Sequence, residues 1–320
     1  MKNCSSTCAT SNLLKSRYKP VGFLAKPPSR VKAILLALLV VFLWSTSWVL
    51  IKIGLKDIPA LTFAGLRYVL AALILLPLAL RPAGRQEMAA LPRRAWGLLI
   101  LLAVLYYPVA QGTQYLGLAV LPSASVSLLL NLSPVAIVLL AILLLGERPG
   151  LSQWLGVALN LIGTLVYFLP GALGGGQITG MLIVLLGMLS NALSTVLGRE
   201  LNGGRRISPV VVTGISMGVG SVLLLAAGVI FQGLPQIGLV SWLIIGWLAL
   251  VNTAVAFTLW NYTQQTLTAA ETGLINNLML PLISILAWIF LGEGLGWRQI
   301  LGLLIAIGGV VLVQMRPRKS

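Results

Sequence analysis

Of the chain's 320 residues, 58% are hydrophobic and only 9% charged, whereas an ordinary soluble domain is about 25% charged, so lipid is the solvent for most of this chain. Histidine is absent and the acids number six, which excludes a zinc or di-iron centre and a Ser-His-Asp triad; no cofactor or metal is expected. The formal charge of +16 sits mostly in loops and tails, where it orients the chain in a bilayer and meets anionic inner-leaflet lipids rather than nucleic acid.

Residues 1–30 read as a basic, disordered cytoplasmic tail, because they hold no acid and lack the contiguous apolar core of a secretory signal. Cys4 and Cys8 lie in this tail with no partner set. Ten apolar spans follow, at about 33–53, 60–80, 95–117, 123–145, 151–170, 178–198, 208–231, 239–264, 269–291 and 298–315. Each is near the ~20 residues that cross a hydrocarbon core as helix, the default where backbone polar groups must satisfy themselves. Pro59, Pro122 and Pro209 stand at span starts, where a missing N–H costs little. Pro82, Gly84 and Pro92 predict a loop, and the glycines at 174–176 mark a linker over 171–177. Residues 316–320 form a basic C-tail.

The stretch from Asn131 to Gly163 returns after 146 positions. Asn131 corresponds to Asn277, Glu147 to Glu293, Gly156 to Gly302 and Gly163 to Gly309; Pro134 matches Pro281 after a slip of one. A unit this long is a duplicated half-protein, 31–170 and 178–315, and not a solenoid repeat. Five spans per half is an odd number, so the second half enters the membrane inverted, an architecture that recurs in secondary transporters. The tails share one side with Arg81, Arg85, Arg93, Arg94, Arg148, Arg199, Arg205 and Arg206, against Lys52, Lys56 and Arg298 opposite. That bias makes both termini cytoplasmic; the membrane expected is the plasma (inner) membrane.

Trp44-Ser45-Thr46-Ser47-Trp48, Lys52-Ile53-Gly54, Pro59 with Arg67, Tyr115, the Ser-Pro and Gly-Glu-Arg features and Gln153 with Gly156 appear in this order. The later ones recur as Tyr262, Pro281, Gly292-Glu293 and Gln299 with Gly302. Together they resemble the drug/metabolite transporter superfamily, in its tandem EamA-domain form. The resemblance covers roughly residues 31–315. It implies an all-α integral membrane protein of ten helices in two inverted five-helix repeats that works by alternating access. It also implies export of a small neutral or zwitterionic metabolite such as an amino acid. The second half departs from the pattern: Ser190, Asn191 and Ser194 stand where the tryptophan motif would repeat. The alternatives are a membrane-embedded enzyme, for which no catalytic cluster is present, and a non-transporting scaffold.

Arg67 lies about 10 Å into its span at ~1.5 Å per residue, and serves either a substrate anion or a structural network. Trp44 and Trp48, four apart with Ser47 between, share a helix face; solute stacking and helix packing both suit them. Tyr107, Gln111, Gln114 and Tyr115 form a polar-aromatic stripe, with Thr253, Phe257, Asn261 and Gln264 as its counterpart. Asn131 and Asn276/Asn277 precede Pro134 and Pro281, where a proline frees a carbonyl and kinks the helix. Asn191 is a weaker site candidate of the same kind. Lys52 snorkels outward or gates. Glu147 and Glu293 are expected to cap the helix that follows each of them and to fix the turn.

Overall fold

The computed structural model describes residues 28–133, 135–136, 139–140, 150–168, 175–203, 209–263, 266–267 and 275–314. Pro134 and Glu147 lie outside them.

Among the described residues the regular structure is helical. In chain order the elements are α1 (Arg30–Gly54), α2 (Ala60–Ala79), α3 (Pro82–Ala89), α4 (Arg93–Val104), a first π segment (Leu105–Gln111) and α5 (Gly112–Val120). There follow α6 (Ser123–Leu130), α7 (Leu151–Phe168), α8 (Gly175–Gly203), α9 (Pro209–Gln232) and α10 (Leu239–Ala249). A second π segment (Leu250–Val255), α11 (Ala256–Thr263), α12 (Met279–Leu291) and α13 (Trp297–Gln314) complete the series. Among the described residues six helices are long and apolar enough to cross a bilayer, and three shorter apolar ones lie at Trp154–Tyr167, Ile275–Leu291 and Trp297–Leu312. The surface agrees with a lipid solvent. Phe231, Phe290, Leu239 and Trp297 are each more than 60% exposed, a placement that water would oppose.

Prolines set the starts as their chemistry requires. Pro59 and Pro122 are the N-caps of α2 and α6, and Pro209 opens α9. The stretch from Pro82 is a correction: it forms a short helix, α3, with proline at its first turn, where the missing donor is harmless. Residues 175–177, expected within the linker, already belong to α8.

Two antiparallel crossings carry the packing. In α7 against α13, a Cβ on Gly163 would lie 2.6 Å from Gly302 O, and one on Gly309 would lie 2.6 Å from Gly156 O. The 146-residue shift exchanges these two contacts. At the centre Asn160 donates from Nδ2 to Ala306 O at 3.2 Å, again 146 residues apart. In α2 against α9, Gly65 meets the backbone of Leu225 and Gly228 meets that of Thr62. Leu61 N donates to Gln232 Oε1 (2.7 Å) and Thr62 Oγ1 to Gly233 O (2.9 Å), which fastens the start of α2 to the end of α9.

The third and eighth predicted spans each contain a π segment, which sequence reasoning did not anticipate. The two fall at nearly equivalent positions under the shift. Pro108 explains the first, because it withholds a donor from mid-span. In the second, Thr253 Oγ1 donates to Leu248 O, five residues back, at 2.9 Å.

Candidate polar site at the π segments

Arg67 is 5% exposed in the middle of α2. Its Nε donates to Thr253 Oγ1 (3.2 Å) and its Nη1 to Tyr115 Oη (3.1 Å). The guanidinium carbon stands 5.2 Å from the Tyr68 ring centroid, within reach of a cation–π contact. No carboxylate pairs with Arg67 among the described residues. Tyr68 Oη donates to Gln111 Oε1 at 2.6 Å, and its ring meets Tyr107 edge-on at 5.3 Å. Tyr107 in turn meets Tyr106 at 5.0 Å. Tyr107, Gln111 and Tyr115 of the expected stripe therefore meet Tyr68 and Arg67 across the helix interface, and Tyr107 and Gln111 lie within the π segment.

A second cluster adjoins the first through consecutive residues. Asn252 and Thr253 sit side by side in the second π segment. Thr253 faces Arg67, whereas Asn252 bonds to α1. Its Nδ2 donates to Leu43 O and, at 3.4 Å, to Thr46 Oγ1. Trp44 Nε1 donates back to Asn252 O at 3.1 Å. The Trp44 ring lies 5.5 Å from Phe257 and 5.2 Å from Trp260, tilted against both. These three rings are partly exposed. Asn252 Oδ1 is buried with no partner among the described residues, although a buried acceptor normally has one.

Other sequence candidates are placed apart. Trp48 is 5% exposed within the main core cluster. Ser47 spends its hydroxyl on Trp44 O at 2.6 Å. Asn131 is the C-cap residue of α6, and its Nδ2 donates to Ser127 O at 3.0 Å. The carbonyl that Pro134 would free, Leu130 O, accepts from Ser133 Oγ at 2.6 Å, so a hydroxyl does the work expected of the amide. The helix breaks at 131–132 and again at 278, matching places in the two halves. Pro281 sits in the first turn of α12, so the break precedes it and the proline restarts a helix. Asn277 is buried and Asn276 exposed. Asn191 is partly buried in α8, where its carbonyl accepts from Thr195 Oγ1.

Two charged residues have different partners from those expected. Lys52 turns its ammonium onto backbone: Nζ donates to Leu118 O (2.6 Å) and Leu121 O (2.5 Å), satisfying carbonyls at the end of α5. Glu293 caps a helix N-terminus, but not that of the helix after it. Its Oε2 accepts from Ser123 N (2.7 Å) and its Oε1 from Ser123 Oγ (3.1 Å), at the start of α6. Gly292, at φ 67°, turns the chain so that Glu293 points there.

Tyr68, Tyr106, Asn252 and Trp260 were missed as site residues. Tyr68 adjoins Arg67, and Asn252-Thr253 is a polar pair inside an apolar span; both were visible signals. A groove of about 620 Å³ opens beside Lys56, Asp57, Leu116, Val120, Ile183 and Gln232. No member of the Arg67 network lines it.

A lipid-facing helical bundle with an arginine-centred polar network in its interior defines a multi-pass membrane protein. The chain belongs to the EamA-like transporter family, which it matches over residues 31–169 and again over 178–315, within the drug/metabolite transporter superfamily. It is 30% identical over 304 residues to the uncharacterized transporter YvbV of Bacillus subtilis, covering 91% of this chain and 94% of that one. It is 27% identical over 293 residues to a protein of Salmonella typhimurium named a probable amino-acid metabolite efflux pump (87% and 93% covered). The same identity, over 293 residues, relates it to an S-adenosylmethionine/S-adenosylhomocysteine transporter of Chlamydia muridarum (88% and 89% covered). A crystal structure at 19% identity shares the fold with a TM-score of 0.63, over 89% of this chain and 98% of that one.

Proposed function

We propose that this protein is a secondary transporter that exports a small neutral or zwitterionic metabolite, with the Arg67 network holding the solute's carboxylate. The carrying observation is a buried guanidinium whose described partners are two hydroxyls and an aromatic face. A buried charge without a counter-ion is costly, and an incoming carboxylate would compensate it. The partly exposed ring cluster of Trp44, Phe257 and Trp260 suits the apolar or cationic remainder. Relatives named for amino-acid metabolites and for S-adenosylmethionine fit a solute with those two ends.

The proposed architecture is ten spans in two inverted halves, 31–170 and 178–315, flanked by cytoplasmic tails in the plasma (inner) membrane and working by alternating access. Antiparallel packing of α7 with α13 and of α2 with α9 supports it, because parallel copies could not pair this way at matching positions. Trp44, Ser47, Trp48, Tyr107, Gln111, Asn131, Asn191, Phe257, Asn276 and Asn277 remain proposed contributors, most directly Trp44, Phe257, Tyr107 and Gln111.

The test is a thermal-shift screen of purified protein against a metabolite panel, followed by flux of each hit in liposomes. A ligand at a hundredfold its Kd adds about 2.7 kcal/mol to apparent stability. Hits should carry a carboxylate and should vanish in Arg67→Gln while weakening in Tyr115→Phe. No shift and no flux for any solute, with or without a pH gradient, would sink the proposal.

A further inference from the structure

Resting on the proposed orientation, we propose that Glu293 is a latch holding the outer mouth shut, and that release of its two bonds to Ser123 precedes opening on that face. The turn between α5 and α6 is gripped from two sides. Lys52, from α1, holds the carbonyls of Leu118 and Leu121. Glu293, from the turn between α12 and α13, holds the amide and the hydroxyl of Ser123. Ser123 is fully buried beneath that carboxylate. The first residues of a helix present unsatisfied N–H groups and a positive field, and a carboxylate on them forms strong charge-assisted bonds.

The partners are 170 residues apart and belong to different halves. A turn cap that served only stability would use a local residue, as Gln299 does when its Oε1 accepts from Gly296 N. Glu293 instead ties the second half to the tip of the first half's α5–α6 hairpin. Ala124 and Leu128, just below, pack with Leu280, Leu303 and Ala306 in one cluster. Separating α6 from α12 and α13 would therefore have to break the Glu293 bonds first.

The test uses the full chain in sealed vesicles, with Cys4 and Cys8 replaced by serine and a reporter introduced by Ser127→Cys. Ser127 is buried one turn into α6, and its hydroxyl bonds only within its own helix. A membrane-impermeant thiol reagent is added from outside and the modification rate measured. Glu293→Ala should raise that rate about tenfold or more, the factor given by roughly 1.4 kcal/mol. Ser123→Ala, which removes one of the two bonds and adds no atom, should give a smaller rise in the same direction. An unchanged rate in both variants, with melting temperatures close to the parent's, would overturn the latch; so would a rise in Glu293→Ala alone, which would trace to charge. A protein that moves no solute yet responds in labelling would refute the transport proposal and leave the latch standing.

Discussion

Burying a guanidinium without a carboxylate leaves hydroxyls and rings to do what water does at a surface. Thr253 and Tyr115 supply acceptors to Arg67 from 186 and 48 residues away, so the network can assemble only when α2, α5 and the second π segment are all in place. Thr253→Val keeps the shape and removes the acceptor. We expect it to cost about 1–3 kcal/mol, the range for a buried donor left unsatisfied, read as a lowered melting temperature in detergent. Tyr115→Phe should cost less, because it removes one bond of an otherwise packed ring. Lys52 gives a second case. Lys52→Met preserves the stem and deletes two charge-assisted bonds to the end of α5, for an expected loss of about 1.5–3 kcal/mol in the same assay. A Lys52→Met protein as stable as the parent would show that water replaces the ammonium there.

At the scale of elements, the six long apolar helices were legible because lipid forces each one to be long, apolar and self-satisfied. Their starts were legible wherever proline stood, as at Pro59 and Pro122. The π segments were not, because seven residues around Pro108 read the same in an α-helix and in an i→i+5 turn. In the second half even that cue is absent; only Thr253's bond to Leu248 O marks the place. Arg67's depth could be counted from Pro59, while its partners could not, since hydroxyl contacts across helices leave no local pattern. The Gly-Glu turn was half legible. Sequence gave the chemistry of a cap at Glu293, but its target on α6 depends on how the halves meet. The two clusters also divide at one peptide bond, Asn252 facing α1 and Thr253 facing α2. An extra residue in the turn permits that, so Asn252→Ala should weaken the Trp44 side and leave Arg67's bond to Thr253 intact. Altered tryptophan fluorescence with unchanged Arg67-dependent ligand shifts would check it.

For the whole molecule, the α7–α13 crossing brings the proposed halves together backbone to backbone. Gly163, Gly302 and Gly309 each place backbone against backbone, the packing that small residues allow in lipid. Gly163→Val must force the helices apart, so we expect a loss of at least ~2 kcal/mol, in the range for overpacking, seen as a markedly lower melting temperature. Gly97→Ala is the control. A Cβ there meets nothing within 4 Å, and an alanine in a helix gains about 0.5–1 kcal/mol over glycine. Equal effects of the two changes would mean that the crossing is looser than it is drawn.

Asn160 facing Ala306 at the centre of that crossing bears on the energetics of the proposed cycle. In the proposed alternating-access cycle, identical halves would make the inward-open and outward-open forms equivalent by a two-fold rotation about an axis in the membrane plane, with equal free energy, and the empty protein would divide evenly between them. Asn160 can donate to Ala306, but Ala306 has nothing to return, and Asn160 Oδ1 stays buried without a partner among the described residues. The crossing itself is therefore uneven. In the proposed cycle an uneven crossing would give the empty protein a preferred resting side, and that preference would set which face captures solute first.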